Sequence, residues 1–233
     1  RQPEWFRMNE KGERTADFNI CASNKDALDF ISYRAKMLAS QLWTGSHRWY
    51  FWPDDVSGYS CHCPDCKNLS PSDQALIIAN AILKGVRQFD PEGCVPFLAY
   101  QDTTAVPLHV APEDGIFLDF APIWRDSKRY IADPNCEKNA HEIRNIKELL
   151  SFFGTKGSQV LEYWMDNSRF SNWTKPPKYM ELEADVMKRD VEYYLGLGFE
   201  NITSFGCYLG EDYRSLYGQP PISEYGKILN FKF

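Results

Sequence analysis

The chain has few of the features that would mark a membrane or nucleic-acid protein. Its longest apolar run is Ala75–Leu83, and Asn80 interrupts it. A bilayer-spanning helix needs about 20 apolar residues, so no segment reads as a membrane span. Lys and Arg number 26 against 32 Asp and Glu, a net charge of −6, and they form no basic block. Without such a patch, neither nucleic acid nor an anionic membrane surface is an expected partner. No Gly-rich phosphate loop follows the first strand-like run, which argues against a dinucleotide fold. The four His are scattered, and no local motif supports a Ser–His–Asp triad. Neither an initiator Met nor a signal peptide precedes Arg1-Gln2-Pro3-Glu4-Trp5, so the sequence is expected to continue a longer polypeptide.

What is present is an ordinary globular composition with one unusual number. Hydrophobic residues make up 43% and charged residues 25% of 233 positions. That suffices for one large domain, or a small domain and a tail, folding without disulfide or metal staples. The aromatic fraction is 15%, from 7 Trp, 13 Tyr and 15 Phe. Several rings stand beside acids in expected loops. That pairing suits carbohydrate, whose C–H faces stack on rings while its hydroxyls need acceptors.

Strand-like and helix-like runs alternate. Strands are expected at Asp17–Cys21, Arg48–Trp52, Val95–Tyr100, Gly115–Phe120, Ser158–Trp164 and Asn201–Tyr208. A helix capped by Ser23 or Asn24 follows the first, with Leu28, Ile31, Ala35, Leu38 and Leu42 on its apolar face. Ser70-Pro71-Ser72-Asp73 starts another, with an N-cap, a Pro at the first helical position and an acid at the third. Its expected buried face is Ala75, Ala79, Ile82 and Val86. Asn139-Ala140-His141-Glu142 reads as a capping box, and a further helix is expected from about Pro176 to Leu195.

This alternation predicts an α/β fold with a parallel sheet. The (β/α)8 TIM-type barrel is preferred over an open sheet because polar or acidic residues stand at nearly every strand's C-terminal end. They are Asn24, Asp54, Asp55, Asp102, Asp126, Glu162, Asp166, Glu211 and Asp212. About six β/α units fit in the chain. The expected organisation is a leading hairpin or end of an upstream segment over 1–16, the barrel portion over 17–217, and a connector or start of a next module over 218–233.

Three constellations carry candidate chemistry. In Phe51-Trp52-Pro53-Asp54-Asp55-Val56, two adjacent acids follow an apolar run; like charges push one pKa up, as a proton donor in glycoside hydrolysis requires. A helix cap or turn would also use such acids. In Leu161-Glu162-Tyr163-Trp164-Met165-Asp166, a Glu between apolar residues either faces a pocket or is paired. Around these lie Trp52, Tyr100, Trp124, Tyr163, Trp164, Asp166 and Tyr208 as candidate sugar-binding groups, and Arg125, which suits a hydroxyl or carboxylate or a loop salt bridge. In Cys61-His62-Cys63-Pro64-Asp65-Cys66, Cys61, Cys63 and Cys66 have metal-like spacing. A structural zinc would draw a fourth ligand from His62, Cys94, Cys136 or His47, and a disulfide is the equal alternative. No catalytic cofactor is expected.

Pro3-Glu4-Trp5-Phe6, Ile20-Cys21-Ala22-Ser23-Asn24, Phe51–Val56, Cys61-x-Cys63-x2-Cys66, Leu98-Ala99-Tyr100 and Leu161–Trp164 together resemble a bacterial family, the domain of unknown function 4838. Part of that family is classed as glycoside hydrolase family 163. The resemblance implies a β/α barrel acting on N-acetylglucosamine-containing glycans, with endo-β-N-acetylglucosaminidase activity in characterised members and an extracellular or periplasmic location. The acid pair is also similar to that of O-GlcNAcase-type hexosaminidases. By that likeness Asp54 orients the substrate's acetamido group and Asp55 is the general acid/base. The family likeness instead gives a catalytic role to a Glu, matched by Glu162. The expectation is thus a retaining glycoside hydrolase. The alternatives are a hydrolase of uronic-acid glycans similar to α-glucuronidases, with Arg125 reading the carboxylate, or a carbohydrate-binding barrel without turnover.

Overall fold

A computed structural model describes residues 2–42 and 44–230. Arg1 and the last residues of the expected 218–233 connector lie outside the described residues. In chain order the helices and strands are α1 (Lys25–Ala39), α2 (Pro71–Val86), β1 (Val95–Ala99), β2 (Ile116–Phe120), α3 (Glu137–Ile143), α4 (Ile146–Phe153), β3 (Gln159–Asp166), α5 (Asn167–Phe170), α6 (Ala184–Leu197), β4 (Asn201–Cys207), α7 (Glu211–Tyr217) and α8 (Ile222–Leu229). The chain divides into two compact units. One is Arg1–Asp119 with Glu148–Gly154; the other is Phe120–Lys147 with Thr155–Phe233. No helix among the described residues is long and apolar enough to cross a membrane.

In the first unit, α1 and α2 begin where local chemistry says they should. The Asn24 side chain accepts from the Ala27 N–H. Ser70 and Asp73 form a reciprocal capping box behind Pro71, satisfying donors that the helix start leaves unpaired. α2 buries Leu76, Ala79, Ile82, Leu83 and Val86, and each large aliphatic among them contributes about 1.5–3 kcal/mol over its exposed state.

The buried stripe of α1 keeps only Ala35 of the expected face, with Leu28 and Ile31 half-buried. It is Ala27, Ser32, Ala35 and Ala39, whereas Leu38 and Leu42 are exposed. The cause is the close approach of α2: a Cβ added at Gly85 would lie 1.9 Å from the Ser32 carbonyl oxygen. Only small side chains fit where two backbones meet at that range.

Two expected strands are single bridges instead. Within Asp17–Cys21, only Ile20 pairs, antiparallel to Phe6, because Asn19 takes a φ of 48° and breaks the extended run. Within Arg48–Trp52, only Arg48 pairs, parallel to Cys94. His47 at φ 56° and a turn-like bond from the Phe51 N–H to the Trp49 carbonyl fold the segment on itself. A hairpin joins Met8 and Arg14 near the start of the chain.

In the second unit, β3 and β4 pair parallel, with Gln159 opposite Asn201 and an irregularity between Glu162 and Met165. Two sequence expectations shift here. Asn139 is not a cap; it lies inside α3, fully buried, accepting from the Asp126 N–H and donating to the Arg129 and Tyr130 carbonyls. The helix expected from Pro176 starts at Ala184. Upstream backbone is engaged elsewhere, the Lys178 N–H with the Ser171 hydroxyl and the Met180 N–H with Tyr213. The described part of the 218–233 segment contains α8, which starts behind Pro221. α6 ends at Gly198, whose φ of 95° supplies the left-handed cap.

Candidate functional site

In the first unit, the segment after Trp52 has no regular structure, since Pro53 ends the extended run and the Val56 N–H turns back to the Asp54 carbonyl. Each acid of the pair has its own partner. Asp54 accepts from the Asn19 N–H at 2.6 Å. Asp55 accepts from the Tyr100 hydroxyl at 2.8 Å and the Gln101 side-chain amide at 3.4 Å. Tyr100 directly follows β1, and two residues on Asp102 accepts from the Ser57 hydroxyl and the Gly58 N–H. Trp52 is 45% exposed, with Tyr50 packed edge-on against it. Asp55, Tyr100 and Asp102 therefore gather at the carboxyl end of β1, with Asp54 and Trp52 on the segment leading to them. A cavity of about 330 Å³ adjoins Trp52 and Asp54, lined among others by Phe18, Asn19 and Phe97.

Glu162 is placed quite differently. In the second unit it has no exposed surface. It shares strand parity with Val160 and Trp164, on the face toward α6. Its Oε1 accepts from Arg125 at 2.5 Å and from the Tyr194 hydroxyl at 2.6 Å. The same guanidinium nitrogen donates to Asp190 at 2.5 Å, and Asp190 also accepts from the Trp164 indole and the Ile131 N–H. One buried cation thus serves two buried carboxylates. Burial, then repulsion from Glu162, pushes the Asp190 carboxyl up to about 6. Burial and the charge of Glu162 hold the Tyr194 phenol well above its usual range.

Asp190 binds its proton more tightly folded than unfolded, so its contribution is fully present below about pH 4 and is lost as pH rises through about 6. Unfolding free energy measured by urea titration across this window is expected to fall with pH, and Asp190→Asn to flatten that fall. A profile unaltered by the substitution would refute the assignment.

The other expected sugar-binding groups are divided. Arg125, Tyr163, Trp164 and Asp166 are buried, and Asp166 caps α5 through Ser168. Trp124 is 52% exposed, its backbone N–H bound to Glu142. Tyr208 donates to the Trp173 carbonyl beneath the Lys175 ammonium.

The cysteine loop gathers a group that spacing alone did not complete. Cys61, Cys63 and Cys66 are joined by Cys21, with all four sulfurs within 4.8 Å of one another. None of the expected fourth ligands takes part: His62 is exposed, and His47 is bound to Asp90. None of the seven cysteines is in a disulfide. Asn19, Cys21 and Asp190 are the residues that reading the sequence missed. Asp190 alone left a local signal, an acid between Met187 and Val191 on an apolar helix face, where burial demands a partner.

Among solved structures, the chain is similar to a GH5-4 broad specificity endoglucanase from an uncultured bacterium. The TM-score is 0.50 at 10% identity, over 97% of this chain and 64% of that one. It is also similar to a Bacteroides ovatus GH5 xyloglucanase in complex with a XXXG heptasaccharide, with a TM-score of 0.47 at 14% identity over 90% of this chain and 52% of that one. The chain thus spans less than two thirds of the length of either. The first likeness shows the fold, α/β of the (β/α)8 barrel type. No curated protein matches. Residues 1–211 match a family described as a domain of unknown function, DUF4838, and the chain belongs to that family.

Proposed function

We propose that the chain carries the acid pair of a retaining glycoside hydrolase acting on N-acetylglucosamine-containing glycans. The observation that carries this reading is the separate anchoring of two adjacent, exposed carboxylates at the end of β1, Asp54 on the Asn19 N–H and Asp55 on the Tyr100 hydroxyl. Two carboxylates in different environments take different roles. Adjacent acids are too close together to flank a glycosidic bond in the usual way. They suit substrate assistance, an exception in which the acetamido group is the nucleophile. Asp54 then orients that group, Asp55 transfers the proton, and Trp52 offers its face to the sugar ring. Glu162 is assigned to the ion-pair cluster of the second unit rather than to chemistry. Arg125, held by two carboxylates, is not offered to a uronic acid. The resemblance to glycoside hydrolase family 163 supports the choice of sugar, and an extracellular or periplasmic place of action goes with it.

The test is a panel of aryl β-glycosides and oligosaccharides with the full-length polypeptide, products being followed by NMR. Release from N-acetylglucosaminides with retention at the anomeric carbon is the expected result. Turnover confined to β-glucans or uronides would overturn the choice of sugar, and glycan binding without any release would replace the enzyme by a binding barrel.

A further inference from the structure

We propose that Cys21, Cys61, Cys63 and Cys66 form a tetrathiolate zinc site that fixes the loop bearing Asp54 and Asp55. Cys21 Sγ lies 3.6 Å from those of Cys61 and Cys63 and 3.9 Å from that of Cys66. Zinc–sulfur bonds of about 2.3 Å in a tetrahedron place sulfurs about 3.8 Å apart, so these three edges match such a site, and the remaining three lie within 4.8 Å. A disulfide requires about 2.05 Å. All four side chains are buried, at 0–2% exposure. Four protein ligands leave no open coordination position, which makes the site structural rather than catalytic.

The surroundings are those of a metal–thiolate centre. The Met8 N–H points at Cys61 Sγ at 3.3 Å, and the Arg14 guanidinium lies 3.8 Å from the same sulfur. The Ser23 hydroxyl sits 3.3–3.4 Å from the sulfurs of Cys21, Cys63 and Cys66. Such donors offset the charge of a tetrathiolate. The Cys63 carbonyl accepts from the Cys66 and Lys67 N–H groups, curling the ligand turn. The buried Gln74 amide bonds both the N–H and the carbonyl of Cys61. Loading is balanced as one Zn²⁺ replacing four thiol protons, which pass to solvent.

The link to the acid loop is short. Asn19, two residues before Cys21, holds Asp54 through its N–H, and its side chain donates to the carbonyl of Tyr59, two residues before Cys61. One ion thus ties both strands of chain that flank Asp54. The site stands whether or not the chain hydrolyses glycans, because its readouts are metal content and spectrum.

The full-length protein is purified anaerobically and its metal measured by mass spectrometry. Cobalt(II) is then exchanged in. One zinc per chain is expected, and the cobalt form should show thiolate charge-transfer bands with the intense visible bands of tetrahedral geometry. Cys21→Ser should lose the ion or bind it far more weakly. Cys21→His should keep it with a shifted cobalt spectrum, which guards against simple misfolding. Cys94→Ser and Cys136→Ser should leave stoichiometry unchanged. An unaltered cobalt spectrum in Cys21→His, stoichiometric iron in place of zinc, a disulfide-linked peptide containing these cysteines, or no metal after zinc supplementation would each overturn the proposal.

Discussion

Asp55→Asn is expected to lower glycoside turnover about 10²–10⁴-fold, the usual loss when a general acid/base is removed. The substitution is nearly isosteric, and its amide oxygen still accepts from the Tyr100 hydroxyl, now 2.8 Å from the carboxylate. Tyr100 and its neighbours should therefore stay in place. Affinity for glycan should be largely unchanged, because proton transfer acts in the transition state and not in the bound ground state. Kinetics on an aryl N-acetylglucosaminide with isothermal titration of a non-hydrolysed oligosaccharide separate the two quantities. Asp54→Asn is expected to be impaired too, through orientation of the acetamido group. Undiminished turnover in Asp55→Asn, beside a folded but inactive Glu162→Gln, would transfer the acid role to Glu162.

Arg125→Leu is expected to cost about 3–5 kcal/mol of stability, the range for breaking a buried ion pair. The reason is the arithmetic of the cluster: Glu162 and Asp190 both lie within 2.5 Å of one guanidinium nitrogen, and all three side chains are at most 1% exposed. Removing the cation leaves two carboxylates facing each other without water. In a chain of this size that loss corresponds to a melting point lower by roughly 6–20 °C. Adding Glu162→Gln and Asp190→Asn to Arg125→Leu should recover part of it. The amides carry no unpaired charge yet keep acceptors for Tyr194 and Ile131. Differential scanning calorimetry of the single and triple variants checks this, and a loss below about 1 kcal/mol would show that the cluster is not a buried ion pair in solution.

What the sequence showed and what it hid divide by range. Asn24, and Ser70-Pro71 with Asp73, announce their helices because capping is settled within four residues. The four strands read correctly as short apolar runs. Asp17–Cys21 and Arg48–Trp52 have the same composition, but Asn19 and His47 adopt positive φ, a choice imposed by tertiary partners. The Asn24 helix has its expected start, but of its expected face only Ala35 is buried and Leu38 and Leu42 are exposed. Apolar spacing favoured Leu38 and Leu42, while contact with Gly85 selected alanines and a serine. The acid pair was legible as a motif, and so were three of the four clustered cysteines. Cys21 was not, because 40 residues separate it from Cys61 and nothing in its immediate neighbours reports that distance. Glu162 was legible only as a dilemma, pocket or partner. Its partners lie 37 residues before it and up to 32 after it.

The Gly85–Ser32 approach brings the backbones of α1 and α2 into direct contact. Helices separated by side chains can slide as rotamers change, on the timescale of shear motions. Where the carbonyl of one helix fills the space a Cβ would occupy on the other, no rotamer can absorb such a slip, and the pair moves as one plate. The irregular chain between Trp52 and Ser60 has no such backbone interlock. It is held by side-chain hydrogen bonds, Asp54 with the Asn19 N–H, Asp55 with the Tyr100 hydroxyl, and Asp102 with the Ser57 hydroxyl and the Gly58 N–H, so its freedom is set by those contacts and by the cysteine cluster next to Asn19 and Tyr59.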